Sequence, residues 1–158
     1  NKWLYAVTQK TAAELVVARA DAGQPNMALQ SFSGSRVRKA DVIVAKNYLN
    51  ADEIDTLNRL VVIFLEQAEL RVKDRHPLTL DYWRSNVDKL LAFNDRPVLQ
   101  GTGSLSHAAM KTIAHERYDA FDLQRRADEA QQADAQDLQE LEALENQLER
   151  SHTTGRES

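Results

Sequence analysis

One long apolar stripe constrains the fold more than any other feature of the sequence. Apolar side chains recur, mostly three or four positions apart, at Ile54, Leu57, Val61, Phe64, Leu65, Ala68 and Val72. This spacing places them on one face of an α-helix. The preceding "NADE" has Asn50 as an N-cap and Glu53 three residues later, the pattern of a capping box. The sequence therefore predicts a helix that follows Asn50, runs to about Arg75 and ends before Pro77.

Capping residues and apolar spacing predict three further helices. Thr11 and Glu14 form a second capping box before a short helix over residues 12–20. Thr79 can cap a helix whose inward side chains are Leu80, Trp83, Val87, Leu90 and Leu91. Ser104 or Ser106 can cap the last helix, with Met110, Ile113, Ala114, Tyr118 and Phe121 facing inward. The scarcity of glycine (5) and proline (3) also favours long regular elements.

Residues 37–49 are compatible with two kinds of secondary structure. Val37, Ala40, Val44 and Tyr48 recur at helical spacing, whereas Val42 and Val44 alternate as in a strand. The helical pattern is the longer one, and no neighbouring segment offers a convincing strand partner. We therefore predict a fifth helix here, and an all-α fold: a bundle of about five helices with an extended acidic C-terminal helix.

Charge is distributed unevenly along the chain, whose net charge is −4. From Asp119 to Arg150 there are ten acidic and three basic side chains, which gives −7, whereas residues 1–118 carry +3. Strong helix formers fill residues 124–150, and the apolar signal returns there only weakly, as Leu138, Leu141, Leu144 and Leu148. We expect this acidic helix to mediate self-association or to dock a protein partner.

These patterns predict three consecutive parts of the chain. The bundle domain is expected over residues 1–123, a protruding acidic helix over 124–150 and a disordered tail over 151–158. Because the chain begins at Asn1 and at once enters an apolar pattern, we interpret it as a fragment of a longer polypeptide.

Several classes of chemistry lack their motifs in this sequence. There is no cysteine, which excludes disulfides and thiolate chemistry. His107 and His115 are two helical turns apart, too far to share one metal ion, and no GxSxG elbow is present. The glycine-bearing "GTGSLSH" over residues 101–107 lacks the Walker lysine spacing and is interpreted as a turn with a helix cap. We predict neither a metal site nor a cofactor.

The sequence gives no indication of a membrane protein. No apolar run approaches the roughly 20 residues that span a bilayer. We predict a cytoplasmic location and no membrane partner, with a secreted effector as the alternative.

Polar residues in and near "RVRKADVIVAKNYLN", residues 36–50, form the main candidate site. Lys46 and Asn47 stand beside Tyr48, which belongs to the buried stripe, and Glu14, Arg19 and Asp41 are the other members of the cluster. Such a cluster is either a structural hydrogen-bond network or a small active site in which Lys46 holds phosphate. We favour the structural interpretation and keep the six residues as weak catalytic candidates.

Basic residues at the start of the same segment are weak candidates for contact with nucleic acid. Arg36, Arg38 and Lys39 could line one edge, but no aromatic residue is interleaved with them to stack on bases. Arg38 and Asp41 lie three positions apart and can form an ion pair instead.

Four blocks occur in order along the first 121 residues. They are "TAAELVVARADAGQPNMAL" (11–29), "VRKADVIVAKNYLNADEIDTLNRLV" (37–61), "LTLDYWRSNVDKLLAFNDRPVL" (78–99) and "GSLSHAAMKTIAHERYDAF" (103–121), and their densest signature is "AKNYLN" (45–50). Together they resemble the C-terminal part of the RhuM virulence-protein family. One departure is Ala28, where the family pattern leads us to expect glycine.

This resemblance implies a bacterial protein whose N-terminal segment looks like a DNA-binding helix-turn-helix region, so nucleic acid would be contacted through a part not included in this chain. It implies no established biochemical activity and no catalytic residues. Related segments accompany Fic-type proteins, but "HPLTLD" at residues 76–81 shares only two letters with the HPFxxGN motif, so AMP transfer is not implied.

Overall fold

The computed structural model of the protein describes residues 2–155, which form helices and connecting loops without a strand. The five α-helices among these residues are α1 (Lys2–Thr8), α2 (Ala12–Arg19), α3 (Ala51–Lys73), α4 (Leu80–Phe93) and α5 (His107–Thr154). Three 3-10 helices cover Pro25–Ala28, Asp41–Ile43 and Ala45–Tyr48. The prediction of an all-α fold with about five helices is confirmed, although α1 was not predicted as a separate helix.

The predicted caps start the helices where expected. In α2, Thr11 Oγ1 accepts from the N–H of Glu14 at 3.3 Å, and the Glu14 carboxylate accepts from the N–H of Thr11 at 3.4 Å. The same reciprocal pair joins Asn50 and Glu53 at the start of α3, at 2.8 and 3.0 Å. Ser106, rather than Ser104, accepts from the first turn of α5. These local motifs fix the chain direction at each helix start because they satisfy amides that have no partner within the helix.

The prediction of a helix over residues 37–49 is wrong. Two 3-10 turns occupy part of this segment, and Val44 between them is extended, with φ −98° and ψ 107°. Val37 and Tyr48 are buried as predicted, but Val44 is 44% exposed and Ala40 is also exposed. The four residues therefore do not form one helical stripe.

Local side-chain bonds and β-branching explain why this segment is not an α-helix. The Asp41 carboxylate accepts from the backbone N–H of Arg38 at 2.8 Å, and the Tyr48 hydroxyl donates to the carbonyl of Val42 at 2.6 Å. Such bonds offer the backbone partners outside a helical ladder. Three successive β-branched residues, 42–44, lower the helix propensity further.

Helix α1 takes part in two apolar clusters of the core. One cluster joins α1, α3 and α4 through Ala6, Leu60, Phe64, Leu90 and Leu91. The ring of Phe64 lies 5.4 Å from that of Trp3 and 4.7 Å from that of Trp83, in edge and tilted arrangements that aromatic rings prefer. The other cluster consists of Leu4 of α1, Leu15 of α2 and Leu49, which directly precedes the N-cap residue Asn50.

The buried face of α3 is rotated relative to the predicted stripe. Phe64 and Ala68 are buried, but so is Leu60, while Leu65 and Val72 are largely exposed. Leu80 of α4 is likewise exposed although it was predicted to face inward. The buried positions of α3 follow a strict four-residue spacing, so the face that packs is narrower than the apolar pattern.

The chain divides into two compact units, one ending at Tyr118 and the other beginning at Asp119. The boundary falls within helix α5. Helix α5 includes residues 151–154 of the predicted tail, and residues 156–158 lie outside the described part of the chain. No helix among residues 2–155 is both long and apolar enough to cross a bilayer.

Candidate functional site

An ion pair joins Arg19 of the predicted polar cluster to Glu53 of α3, which was predicted only as a helix cap. Arg19 Nη1 and Nη2 donate to the two carboxylate oxygens of Glu53, each at 2.6 Å. Nη1 also donates to the backbone carbonyl of Tyr48 at 2.8 Å. This bidentate arrangement fastens the last turn of α2 to the first turn of α3.

Both members of this pair are held in their charged forms. The hydrogen bond from Arg19 lowers the pKa of Glu53 below its usual value, against the opposing effect of burial. The same bond raises the pKa of Arg19. Since Glu53 is ionised and already bonded to Arg19 and Asn50, it is poorly suited to exchange protons with a substrate near neutral pH.

Tyr48 is buried, and its hydroxyl supports the backbone from within. It donates to the carbonyl of Val42 at 2.6 Å. Burial raises the pKa of the Tyr48 phenol well above its ordinary value of 10.0, and the nearby charge of Arg117 only partly opposes this. The phenol is therefore neutral and acts as a hydrogen-bond donor rather than as a base or a nucleophile.

Asn47 and Asp41 also bond to the backbone. Asn47 Nδ2 donates to the carbonyl of Asp41 at 3.0 Å, and the carbonyl of Asn47 accepts from the amides of Gln30 and Ser31 at 2.7 and 3.2 Å. The carboxylate of Asp41 accepts from the backbone amide of Arg38. These bonds tie the loop before residue 36 to the two 3-10 turns.

Glu14 lies apart from this cluster and binds the loop before α5. Its Oε1 accepts from the amide and the hydroxyl of Ser104, at 2.9 and 3.2 Å, and the amide bond is the main cause of its lowered pKa. Gly103 has φ +84°, and a Cβ there would collide with the side chains of Thr11 and Glu14. The glycine thus permits the close approach of this loop to α2.

Arg117 belongs to the polar cluster but was missed in the sequence. Its Nη1 donates to the carbonyls of Val17 and Ala20, at the end of α2. A guanidinium in this position satisfies carbonyls that have no partner within the helix and complements the helix dipole. Its position three residues after buried Ala114 and seven after buried Met110 is the signal that could have revealed it.

Lys46 lines an open cleft. The cleft measures about 300 Å³, and its walls are mainly apolar, with Trp3, Leu49, Leu57 and Val61 among the lining residues. Lys46 is exposed, and Asn58 is a further polar lining residue. Such a cleft can receive an apolar group whose attached anion contacts the ammonium group.

Two of the three basic candidates line a shallow depression on the loop before the 3-10 helix Asp41–Ile43. Arg36 and Arg38 line a space of about 330 Å³ together with Ser33, Gly34 and Ser35. Arg38 also contacts both Asp41, at 3.4 Å, and Ser33, at 3.3 Å, so part of its hydrogen-bonding capacity is used within the loop. Lys39 is exposed on the same loop.

Residues 2–155 contain no group of three or more His, Asp or Glu side chains placed to hold a metal ion.

The unit from Asp119 onward, here called the acidic segment, exposes apolar side chains along its helix. Near its start Asp122 forms ion pairs with Arg125 at 2.7 Å and with Arg126 at 3.0 Å. Further along, the exposed fractions of Leu138, Leu141, Leu144 and Leu148 lie between 55% and 61%. These leucines recur at three- and four-residue spacings, so three of them share one side of the helix and Leu138 lies at its edge.

The comparisons with known proteins identify a family but no individual relative. Neither the curated proteins nor the solved structures gave a match. The sequence model of the Virulence protein RhuM family matches residues 1–129, which includes the four blocks quoted above and extends into the acidic segment. Since this match spans most of the 158 residues, the chain belongs to the Virulence protein RhuM family.

Proposed function

We propose that this chain is a helical protein-interaction module of a larger bacterial virulence-associated protein, and that its acidic segment is the part that docks. The observation that carries the proposal is the row of exposed leucines from Leu138 to Leu148 on a helix that is otherwise strongly polar. Burying the exposed part of one such leucine contributes about 1–2 kcal/mol. A partner helix that covered the row would gain several times that amount.

The bonds of the polar cluster support this function over a catalytic one. Arg19, Asn47 and Tyr48 each donate to a backbone carbonyl, and Glu53 is shared between Arg19 and the start of α3. Side chains used in this way stabilise the junction of α2 with α3 and the two 3-10 turns that precede α3. A nucleophile or a general base instead needs an accessible atom near the reacting group.

The alternative function is an enzyme or toxin-like domain that acts on nucleotides or nucleic acid, with Lys46 as its anion-binding residue. One observation favours it: Lys46 lines a mainly apolar cleft large enough for a ring system. In this alternative Asn47 and Tyr48 are positioning residues, because their side chains bond to the backbone.

For the parent protein we propose a DNA-binding regulator. The support is the family resemblance, which implies a helix-turn-helix region before the part represented here. Nucleic acid would then be contacted mainly by that region, while this module supplies self-association or partner binding. Arg36, Arg38 and Lys39 are a secondary candidate surface, and contact through them would weaken steeply as salt is raised.

A site-specific photocrosslinker tests the docking face directly. It is placed at Leu144 in one version of the full chain and at Asn146 in the other, two residues that lie about 200° apart around the helix. We expect a crosslinked product, with a second copy or with another protein, from position 144 and not from position 146 in bacteria that produce the parent protein. Equal yields from the two positions, or no product from either, would contradict docking through the leucine face.

A further inference from the structure

We propose that the leucine face of the acidic segment accepts a basic amphipathic helix rather than a second copy of the same segment. The inference rests on the proposed docking function and adds the chemistry of the partner. It depends on where the acidic residues lie relative to the apolar positions.

Leu141, Leu144 and Leu148 of the leucine face belong to a longer regular seam of the helix, which begins at Leu123 and does not include Leu138. Steps of four and three residues connect positions 123, 127, 130, 134, 137, 141, 144 and 148, all of which are exposed. This alternation is the a and d spacing of a coiled coil. Six of the eight positions are Leu or Ala, and the two in the middle are Asp134 and Asp137.

A second copy aligned in parallel would meet like charges at this seam. Asp134 would face Asp134 of the copy, and Asp137 would face its equivalent one layer later. Glu140 and Glu145 flank the seam at the g and e positions, which oppose each other in a parallel pair. Carboxylates placed against carboxylates in a partly desolvated seam disfavour this pairing.

Antiparallel pairing does not remove the problem. An overlap that includes the whole seam brings Asp134 of one copy against Asp137 of the other. An overlap centred between Leu141 and Leu144 avoids that contact but shortens the paired length to residues 131–154, about three heptads, which is the lower limit for a coiled coil.

A helix with Lys or Arg at the matching positions converts each of these conflicts into an ion pair. Between residues 127 and 149 the segment has eight acidic side chains and no basic one. The field of this surface would also accelerate the approach of a cationic partner. The pattern thus combines an apolar seam, which provides contact area, with acidic positions, which select a partner of opposite charge.

Three peptides that share the sequence of residues 119–155 test the inference against the full chain. The first keeps that sequence and stands for a second copy. The seam-lysine peptide carries Asp134→Lys, Asp137→Lys, Glu140→Lys and Glu145→Lys. The outward-lysine peptide carries Asp128→Lys, Glu129→Lys, Glu142→Lys and Glu149→Lys, which leave the seam acidic. Each set of four changes raises the net charge of the peptide from −7 to +1, so the two lysine peptides have the same charge and the same number of added lysines.

Binding is measured by fluorescence anisotropy at physiological salt, where long-range attraction is screened. We expect the seam-lysine peptide to bind at least tenfold more tightly than the outward-lysine peptide, and the native peptide to bind more weakly than either. Equal affinity of the two lysine peptides would show unspecific charge attraction and overturn the inference. Preferential binding of the native peptide would overturn it in favour of a second copy.

The crosslinking experiment separates failure of this inference from failure of the docking function. If no peptide binds but position 144 still gives a crosslinked product, the segment docks and the partner is not a basic helix of this kind. If no peptide binds and position 144 gives no product, both the docking function and the inference are contradicted.

Discussion

The guanidinium group of Arg19 bonds to both carboxylate oxygens of Glu53 at 2.6 Å, across 34 positions of sequence. Glu53 is at the same time the third residue of the capping box that starts α3. One carboxylate therefore serves both the start of one helix and the attachment of another. Because the Arg19 side chain also bonds to the Tyr48 carbonyl, loss of either partner leaves a largely buried polar group without its bond.

Arg19→Ala is expected to destabilise the fold by about 1–3 kcal/mol, since it leaves the Glu53 carboxylate and the Tyr48 carbonyl without their main donor. Urea denaturation followed by circular dichroism measures the change. Arg59→Ala is the matched control, because Arg59 and Asp55 form an exposed ion pair on the same helix and such pairs contribute little. A loss in Arg19→Ala no larger than in Arg59→Ala would contradict the assigned role.

The contribution of Glu53 is expected to depend on pH. Its pKa in the folded chain lies below the ordinary value of 4.5, so the folded state binds protons less readily than the unfolded state. The stabilisation is therefore complete above about pH 4.5 and is lost as the pH falls through the lower folded pKa. The difference in unfolding free energy between the wild type and Glu53→Gln should be larger at pH 7 than at pH 3. The control is Glu69→Gln, which alters an exposed carboxylate of the same helix, and a pH dependence of Glu53→Gln no larger than that of the control would contradict the assigned role.

Stability and function together distinguish the two proposed roles of the segment 45–50. Asn47→Ala should destabilise the fold by about 1–2 kcal/mol, because the Asp41 carbonyl loses a donor, whereas Lys46→Ala should stay within about 0.5 kcal/mol. Thermal unfolding gives the first comparison, and the phenotype of bacteria that express each variant of the parent protein gives the second. A variant Lys46→Ala that folds normally but loses all effect would favour the enzymatic alternative over the interaction module.

Local motifs in this chain were predictable because their information lies within a few residues. Thr11 with Glu14, and Asn50 with Glu53, each specify a helix start without reference to the rest of the fold. The same holds for Thr79, whose hydroxyl accepts from the amide of Tyr82.

The arrangement around α2 could not be predicted in the same way, because its bonds join distant positions. Arg117 reaches Val17 across 100 positions, and Ser104 reaches Glu14 across 90. Helical spacing also failed over residues 37–49, where Val44 fits the stripe by number but lies exposed between two turns. Apolar residues three or four positions apart are consistent with a helix. The same spacing does not exclude turns that are stabilised by side-chain hydrogen bonds to the backbone, such as the bond from the Tyr48 hydroxyl to the Val42 carbonyl.

Two neighbouring glycines allow the attachment of the loop before α5 to be measured. Gly101 and Gly103 have similar left-handed φ values, +77° and +84°, but only at Gly103 would an added Cβ meet other side chains, those of Thr11 and Glu14. Gly101→Ala should cost about 1 kcal/mol from the backbone alone, and Gly103→Ala about 2–4 kcal/mol. Chemical denaturation of both variants checks the difference. Equal losses would mean that the loop does not need its close approach to α2.

Replacing the two aspartates of the seam should cause the chain to dimerise through its acidic segment. In the full chain, Asp134→Leu together with Asp137→Leu makes the seam continuously apolar from Leu123 to Leu148 and removes the charges that oppose pairing with a second copy. Sedimentation velocity should then detect dimers at concentrations at which the wild type is monomeric, and the affinity for the seam-lysine peptide should fall. The control is Asp128→Leu with Glu142→Leu, which adds the same two leucines outside the seam and should leave the chain monomeric. If both double variants dimerise equally, added hydrophobicity rather than the seam is responsible. If neither does, the aspartates are not what limits self-association.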